Sequence, residues 1–444
     1  MRLPLDISQC IEALEGASFA TYAVGGCVRD HLLGLEPQDF DLCTAATPDQ
    51  IQAVFAHRQL VLAGLKHGTV GVVTETGVVE ITTFRTEGDY TDSRHPGWVR
   101  FVPTIEEDLA RRDFTINAMA WSPTRGLADP FGGAADLKNQ VLRAVGDPTL
   151  RFREDALRIL RGTRFAAKYR LEPDAETEKA MFDQAHLMDD LARERVFEEL
   201  CKLLTYADVP DLLRWAPIIT QVIPELAPTL GFDQHSPHHA YDLYTHIAHV
   251  TAATAPDLVL RWAALLHDVG KPATFTLDEN QQGHFYGHAK AGAAMADEIL
   301  HRLKAPTALR EQVVRLIEQH MNRPEPERKL LRRWLSRLGR DTLEQLLALQ
   351  QADMGSKGTE KSEDEALFRA VHSILQEIYT ENACLSLKDL AVKGSDLMAL
   401  GFAPGKNLGR CLQTLLEQVL DEQLPNDRTA LLAAAERYLK EDIQ

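Results

Sequence analysis

Strand-like segments are confined to the first third of the chain, and this asymmetry constrains the fold more than any other feature. Up to about residue 145, short apolar runs alternate with glycine-bearing turns, as in the runs 70–74 and 78–84 on either side of Gly77. From about residue 149 onward the pattern is helical nearly to the end, with prolines as punctuation. The sequence therefore predicts an α+β protein, with a small domain of strands and helices followed by a helical region.

The length of the chain predicts several domains. With 444 residues, it exceeds what one hydrophobic core usually serves, and roughly two to four domains are expected. The longest apolar stretches are far short of a membrane span, and the first residues lack the apolar core of a signal peptide. The six cysteines are scattered without a CxxC pair, which is typical of free thiols in a reducing compartment. We therefore expect a cytoplasmic protein without a membrane partner.

The net charge of −17, taken alone, argues against a nucleic-acid partner, because phosphate binding depends on lysine and arginine. The basic residues are not evenly distributed, however. Several lie between Arg151 and Arg170, and others between Lys329 and Arg340. A local basic patch can bind phosphate even when the net charge of the protein is negative. A solvated helix face also explains either cluster of basic residues.

A glycine pair lies between a predicted strand, 20–24, and a predicted helix, 27–33. Gly25 and Gly26 would let the backbone approach a phosphate closely at the start of the helix. Arg29 would add a cation one turn into that helix. An isolated glycine pair is usually only a turn, so its meaning depends on the residues that come after it in the chain.

Two acidic residues come next, at short spacing. On a strand, the side chains of Asp39 and Asp41 would point to the same face and could share divalent cations. Mg²⁺ prefers one or two carboxylates together with substrate phosphates. Glu80 interrupts the apolar run 78–81, and a charge in a buried strand needs a partner such as a metal. An isolated Asp-x-Asp also fits a polar strand edge, but its combination with the glycine pair favours a phosphate and metal site.

The stretch from Gly25 to Asp41 contains a glycine pair, then an arginine, then two aspartates. In this order, these residues resemble the signature of the polymerase-β-like nucleotidyltransferases. It is most similar to the branch that contains the bacterial tRNA nucleotidyltransferases and poly(A) polymerases. Further segments resemble motifs of that branch and occur in the same order. These segments are 111–118, 129–133 and 154–165.

The resemblance implies a polymerase-β-like head with a mixed sheet, in which Mg²⁺ is held by Asp39 and Asp41 for nucleotidyl transfer. It implies that the enzyme extends the 3′ end of tRNA without a template, using CTP and ATP. It also implies that Asp155 and Arg158 contact the incoming base. The other implied nucleotide-binding residues are Gly26, Arg29, Arg112, Arg161 and Arg164.

The segment 154–165 also has a pattern of its own. On one continuous helix, Asp155 and Arg158 would be neighbours because they are three residues apart. Arg161 and Arg164 would continue around the surface, where the resemblance implies contact with nucleotide phosphates or the primer. An amphipathic helix with a solvated basic face gives the same pattern.

Relatives of this branch add CCA, only CC, only A, or poly(A). The polar segment 86–97 is long for a hairpin connection and resembles the flexible loop of enzymes that add complete CCA, which favours CCA or A addition. The segment 394–409 resembles a tail domain that grips the tRNA elbow. A helix–turn–helix packing element also explains it.

Histidines and aspartates, which are common metal ligands, recur in the helical region. His267 and Asp268 directly follow a buried helical run, and imidazole with carboxylate suits a transition metal, although a lone histidine is usually a packed core residue. With His246 and Asp353, their order resembles the HD-domain phosphohydrolases, which implies a divalent transition metal at these four residues. Accessory candidates are His284 and His320.

The sequence thus predicts four parts, with tRNA bound at its acceptor arm and elbow. These are a nucleotidyltransferase head (1–147), a base-binding neck (148–205), a body (206–375) with an HD domain at about 240–355, and a tail (376–444). Two alternatives remain. One is a poly(A) polymerase or an enzyme that adds only A or CC, and the other is an HD phosphohydrolase whose head only binds RNA or nucleotides.

Overall fold

The computed structural model describes residues 1–88, 99–236, 240–357, 362–381 and 383–441. The chain divides into two compact units, one formed by 1–227 with 302–305 and the other by 228–301 with 306–444. Strands are concentrated in the first 130 residues and helices dominate the rest, so the α+β prediction is confirmed. Among the described residues, the structure contains no helix with the length and apolar character needed to cross a bilayer.

The first unit contains eleven strands and eleven α-helices within its described residues. Its strands are β1 (Thr21–Val24), β2 (Asp41–Thr44), β3 (Leu60–Val61), β4 (Thr69–Val73), β5 (Val78–Thr83), β6 (Arg85–Glu87), β7 (Val99–Phe101), β8 (Ala120–Ser122), β9 (Gly126–Ala128), β10 (Val141–Leu142) and β11 (Glu172–Pro173). Its helices are α1 (Leu5–Gly16), α2 (Gly26–Leu32), α3 (Pro48–Val54), α4 (Ile105–Ala110), α5 (Gly133–Lys138), α6 (Pro148–Glu154), α7 (Leu157–Tyr169), α8 (Ala175–Asp183), α9 (Arg193–Tyr206), α10 (Val209–Arg214) and α11 (Ala216–Val222).

Seven of these strands form one sheet in the order β3-β4-β5-β2-β1-β8-β9. β2 and β5 run parallel, whereas the other neighbours are antiparallel, so the sheet is mixed as expected. The predicted hairpin is present as β4 and β5, and Gly77 occupies its turn with a φ of 148°. Ala23, Leu42 and Ile81 are register partners on neighbouring strands, and all three are completely buried on one face of the sheet.

The predicted continuous helix over 154–165 is wrong, because the chain breaks between α6 and α7. Asp155 is extended there, with φ −147° and ψ 102°. Its Oδ1 accepts a hydrogen bond from the N–H of Leu157 at 3.0 Å, and this side-chain bond satisfies the first donor of α7. Aspartate competes in this way with the helical backbone, so the helix restarts instead of continuing.

The second unit is mostly helical. Its elements are α12 (Leu243–Ala253), α13 (Leu258–Leu266), α14 (Lys271–Thr274), β12 (Thr276–Leu277), β13 (Gly283–His284), α15 (His288–Arg302), α16 (Thr307–Gln319), α17 (Arg328–Leu338), α18 (Arg340–Gly355), α19 (Ser362–Thr380), α20 (Gly394–Ala399), α21 (Lys406–Leu420) and α22 (Arg428–Glu441). Helices α12, α13, α16 and α18 pack against one another around fully buried side chains such as Trp262.

Two surface segments are described only in part. In the segment 354–365, the first two residues end α18 and the last four begin α19. Residues 358–361 within it lie outside the described residues. Most of the predicted flexible loop, 89–97, also lies outside them.

Candidate active site and metal centre

The glycine turn joins β1 to α2 in the first unit. Gly25 has a φ of 71°, in the left-handed region that favours glycine. A Cβ atom at this position would lie only 2.8 Å from Nη1 of Arg112. The absence of a side chain at Gly25 therefore allows Arg112 to lie directly against the turn.

The acidic residues lie on or beside β2 and β5, two interior strands of the same sheet. Asp41 is the first residue of β2, but Asp39 precedes the strand, so the prediction that both lie on one strand is wrong. Glu80, expected to be buried, is exposed on β5. Because Leu42 pairs in parallel with Ile81, the preceding residues, Asp41 and Glu80, are neighbours on one face of the sheet.

The environment of Asp41 disfavours its negative charge. Desolvation in the concave site raises its pKa, the carboxylates of Glu80 and Asp39 raise it further, and only Arg112 opposes them. The Asp41 side chain is nevertheless exposed to solvent, because the site is concave yet open. Three converging carboxylates with one opposing cation are suited to a divalent cation, which would relieve their mutual repulsion.

Arginine side chains line the same concave site as Asp41, and most are held by carboxylates. Arg112 Nη2 lies 3.3 Å from Oδ2 of Asp108, which is completely buried. Arg161 Nη2 lies 2.6 Å from Oδ2 of Asp113. Although burial opposes ionisation of Asp113, the Arg161 guanidinium and a hydrogen bond from Asn117 keep its pKa well below the usual range. These pairs fix the arginines in defined positions.

Phe165 lies at the centre of another arginine cluster. The guanidinium carbon of Arg164 is 4.1 Å from its ring centre, and those of Arg29 and Arg161 are each 5.3 Å away. Arg164 Nε also donates to Oε2 of Glu199 at 2.6 Å. Cation–π contacts of this kind hold positive groups together without neutralising them. The ring therefore supports a concentration of positive charge suited to a triphosphate.

The two residues expected to contact the base are not paired with each other. Oδ2 of Asp155 accepts a hydrogen bond from Nη2 of Arg195 at 2.9 Å. Arg158 donates to Oε2 of Glu154 at 2.7 Å and to the carbonyl oxygen of Arg111 at 3.0 Å. Asp155 and Arg158 were predicted to be neighbours on one helix. Instead each binds separate partners, because the helix breaks between them.

A cleft of about 440 Å³ gathers most of the predicted residues of the first unit. Seven arginines and three aspartates line it, so positive charge predominates there. The predicted residues among its lining are Gly26, Arg29, Asp41, Arg112, Asp155, Arg158, Arg161 and Arg164. Sequence reasoning assigned no site role to Asp113, Asn117 or Arg195, which also line the cleft. Asp113 and Asn117 lie inside a recognised motif, whereas nothing in the spacing of Arg195 connects it to Asp155.

The second unit contains a separate cluster of histidines and aspartates. His267 follows α13 directly and is completely buried, as is nearly all of Asp268. Nε2 of His267 lies 3.2 Å from Oδ2 of Asp268, and Nε2 of His246 lies 3.1 Å from Oδ1 of Asp353. The four predicted ligand positions are therefore brought together.

Two further histidines complete the cluster. Nε2 of His288 lies 3.4 Å from Oδ1 of Asp268, and Nε2 of His320 lies 3.9 Å from the same oxygen. His320 was expected only as an accessory, and His288 was not expected as a ligand. His284, the other accessory candidate, instead pairs with Asp278 on the β12–β13 hairpin at 3.0 Å. The outcome for His284 differs because the hairpin gives it a local partner.

Hydrogen bonds fix the orientation of these rings. Nδ1 of His267, His288 and His320 bonds the backbone carbonyl three residues earlier, at 2.7, 2.7 and 2.6 Å. A ring that donates through Nδ1 presents an Nε2 lone pair, which is the usual metal ligand. Burial lowers the pKa of His320 to about 4, so this ring is neutral at neutral pH.

The lone pairs face carboxylate oxygens, and a proton or a metal cation between them would relieve the repulsion. The residues form two groups, His246 with His267 and Asp268, and Asp268 with His288 and His320. In each group, one ligand atom per residue lies within 4.8 Å of the others. Burial lowers the pKa of His267, but the Asp268 carboxylate raises it by more. The pKa of His267 is therefore raised, and a positive charge is favoured here. The donor set fits divalent transition metals.

Comparison with known proteins identifies the family. The model of the poly(A) polymerase head domain matches residues 21–143, that of the probable RNA and SrmB-binding site of polymerase A matches 170–230, and that of a putative second tRNA nucleotidyltransferase domain matches 284–435. A curated CCA-adding enzyme of Levilactobacillus brevis is 35% identical over 96% of this chain and 95% of its own length. One of Streptococcus thermophilus is 33% identical over 95% and 94%.

Solved structures agree with these relatives. The crystal structure of Bacillus stearothermophilus CCA-adding enzyme in complex with CTP is 25% identical, with a TM-score of 0.72 over 100% of this chain and 99% of that one. The Thermotoga maritima CCA-adding enzyme complexed with tRNA, at 22% identity and a TM-score of 0.60 over 98% and 96%, shares the fold. From the full-length relatives and the matched head domain, the chain belongs to the family of CCA-adding enzymes, which are nucleotidyltransferases.

Proposed function

We propose that this protein adds CCA to the 3′ end of tRNA without a nucleic-acid template, using CTP and ATP. The observation that carries the proposal is the cleft that Asp41, Arg112, Asp155 and Arg158 line together. Relatives named CCA-adding enzymes match nearly the whole chain, which favours this activity over poly(A) synthesis or partial addition.

Asp39, Asp41 and Glu80 are the residues proposed to hold Mg²⁺. The raised pKa of Asp41 supports this assignment, because desolvation and the neighbouring carboxylates all disfavour its charge while no cation is bound. When bound, Mg²⁺ would stabilise the charge that develops on the transferred phosphoryl group. Arg112 and Arg161, each anchored by a carboxylate, are placed to bind the triphosphate oxygens.

The chemistry of the transfer is a substitution at phosphorus. The 3′ hydroxyl of tRNA gives up its proton to solvent as its oxygen forms a bond to the α-phosphorus, the bond from that phosphorus to the bridging oxygen breaks, and pyrophosphate leaves. The cleft residues orient the nucleotide so that the attacking and leaving oxygens are in line. The arginines around Phe165 stabilise the leaving pyrophosphate through their positive charge.

Asp155 and Arg158 provide the proposed base selection. Cytosine and adenine both present an amine donor beside a ring nitrogen that accepts, whereas uracil and guanine present the reverse. A carboxylate only accepts and a guanidinium only donates, so the two residues match C and A. Against U or G, buried polar groups would be left unpaired, which discriminates strongly.

The test is incubation of the protein with tRNA that lacks its terminal CCA, together with CTP, ATP and Mg²⁺. Products extended by three nucleotides on a sequencing gel are expected, and CTP alone should stop extension after two. A ladder of many adenosines, or extension by one nucleotide only, would replace this proposal with poly(A) synthesis or A addition.

The predicted division of labour along the chain remains part of the proposal. We propose a head at 1–147, a neck at 148–205, a body at 206–375 with an HD domain at about 240–355, and a tail at 376–444. The tRNA acceptor arm would bind beside the cleft and its elbow at the tail. The RNA-binding family match over 170–230 supports RNA contact near the neck. A cytoplasmic location is proposed as well, supported by six buried, unbridged cysteines.

A second activity, metal-dependent phosphoester hydrolysis, is proposed for the histidine cluster of the second unit. The supporting observation is that Asp268 is shared by two groups of potential metal ligands, with His246 and His267 on one side and His288 and His320 on the other. When bound, divalent cations there would lower the pKa of a water molecule and polarise a phosphoryl oxygen. Lys271 Nζ, 2.7 Å from Oδ2 of Asp268, keeps that carboxylate ionised and oriented.

A further inference from the structure

A small cavity opens onto the histidine cluster of the second unit. Its volume is about 180 Å³, and both His320 and Asp353 line it. His320 belongs to one of the two groups of potential metal ligands, whereas Asp353 contacts His246 of the other. A ligand in this cavity would therefore be within reach of both groups, while the fully buried His267 does not line it.

Two basic side chains line the same cavity. Lys357 Nζ lies 3.6 Å from Oδ2 of Asp353. Arg323 has a side chain that is 66% exposed, and its Nη2 lies 3.0 Å from Oδ1 of Asp364. An exposed ion pair of this kind contributes little to stability, so Arg323 can exchange Asp364 for an anionic ligand at low cost.

A buried amide supplies an independent sign of a ligand. Gln350 is 3% exposed, and its Nε2 donates to the backbone carbonyls of His320 and Asn322 at 3.0 and 2.6 Å. Its Oε1 has no hydrogen-bond partner among the described residues, although Gln350 lines the cavity. A buried acceptor without a partner is costly, and a ligand hydroxyl would satisfy it.

These groups define the chemistry of the ligand. A phosphoryl group carries several anionic oxygens, which arginine binds through paired hydrogen bonds and lysine as a point charge. The P–OH group of a singly protonated phosphate, or a sugar hydroxyl beside the phosphoryl group, would donate to Oε1 of Gln350. At about 180 Å³, the cavity is smaller than the roughly 300–1,000 Å³ that enclose a drug-sized ligand. It therefore admits the end of a molecule and excludes the interior of a polynucleotide.

We infer that Arg323, Lys357 and Gln350 form a binding site for a terminal phosphoryl group, as in a phosphomonoester or a terminal cyclic phosphate. This inference rests on the phosphohydrolase proposed for the cluster and assigns the residues that bind its substrate. Arg323 and Lys357 neutralise the phosphate at the entrance, and the histidine cluster is the site where hydrolysis would occur.

The test uses the full-length protein loaded with Mn²⁺, and inorganic phosphate as the probe. Metal content is measured by elemental analysis and phosphate affinity by titration calorimetry, for wild type, Arg323→Gln and Lys357→Gln. Arg369→Gln is the matched control, because Arg369 is also an exposed arginine paired with an acidic residue of α19 but lies outside the cavity lining. We expect unchanged metal content in every variant. Phosphate affinity should fall roughly tenfold or more in the first two and stay unchanged in the control.

The outcomes separate this inference from the proposal on which it rests. If wild type binds Mn²⁺ but Arg323→Gln and Lys357→Gln bind phosphate as wild type does, the assigned phosphate site is wrong and the metal centre stands. The same conclusion follows if metal-loaded wild type binds no phosphate. If wild type binds no divalent cation at all, the phosphohydrolase is wrong and the phosphate site is overturned with it.

Discussion

Oδ2 of Asp155 accepts a hydrogen bond from Nη2 of Arg195, 2.9 Å away and 40 residues later in the chain. The other oxygen of Asp155 accepts from the N–H of Leu157 at 3.0 Å. A carboxylate held from two sides has little rotational freedom, and its remaining lone pairs point in fixed directions. The residue proposed to accept the amine of C or A is thus positioned by a helix, α9, to which local sequence does not connect it.

Arg195→Met should therefore weaken nucleotide selection through Asp155. We expect a lower kcat and more UMP and GMP incorporation, with Arg195→Lys restoring part of the selectivity because lysine also donates. Arg193→Met, on the same helix but bonded to the carbonyl of Asp189, is the control. In the Asp155→Ala background, Arg195→Met should add no further loss of selectivity. A full additional loss there would show that Arg195 acts independently of Asp155.

Removing either side chain proposed to contact the base should relax selection directly. Asp155→Ala and Arg158→Ala should lose preference for CTP and ATP over UTP and GTP by roughly tenfold or more, because a lost hydrogen bond to a charged group is worth about 1.5–3 kcal/mol. Affinity for tRNA should change less than selectivity. Single-nucleotide incorporation from all four NTPs measures this, with the exposed Arg153→Ala as control. If both variants kept the wild-type preference for CTP and ATP, other residues would have to select the base.

Replacing Asp41 should abolish addition while stabilising the metal-free protein. Asp41→Asn removes a proposed Mg²⁺ ligand, and the rate should fall roughly a hundredfold or more. Because the folded state raises the pKa of Asp41 above that of the unfolded chain, its ionised form destabilises the metal-free fold at neutral pH. This cost disappears as the pH falls below the unfolded-state pKa.

Thermal unfolding in EDTA should therefore show a higher Tm for Asp41→Asn than for wild type at pH 7, and a smaller difference near pH 3. The exposed Asp49→Asn serves as control for both measurements. Near-normal CMP incorporation by the folded Asp41→Asn protein would refute the proposed metal site.

The histidine cluster should work independently of nucleotide addition. His267→Ala removes a fully buried candidate ligand, so hydrolysis of 2′,3′-cyclic phosphates or phosphomonoesters should be lost while CCA addition is retained. His372→Ala, at a partly exposed histidine of the same unit, should change neither activity. If hydrolysis survives both His267→Ala and a chelator, the cluster has a structural role. Loss of CCA addition in a folded His267→Ala protein would contradict independence.

Local patterns in the sequence determined the class of fold and the residue types of both sites. The hairpin of β4 and β5, the strand before Gly25 and the helix after Gly26 arise from residues that are adjacent in the chain. Alternation, turn glycines and helical periodicity act over a few residues, so they can be recognised without tertiary contacts. The order of the carboxylates and histidines along the chain can also be recognised without tertiary contacts. The resemblance to known families rested on that order.

Tertiary structure decided which of these groups meet and which partners hold them. Asp155 left the helix, Asp39 lay outside the strand, and Glu80 was exposed where burial was expected. His288 joined the candidate metal ligands through Asp268, 20 residues earlier.

Contacts between distant residues depend on how whole elements pack, and the energy of that packing is not contained in any local pattern. The sequence therefore determined which elements form and which chemical groups are present. Folding determined that Arg195 holds Asp155 and that two groups of candidate metal ligands share Asp268, because only packing of separate elements brings these side chains close together.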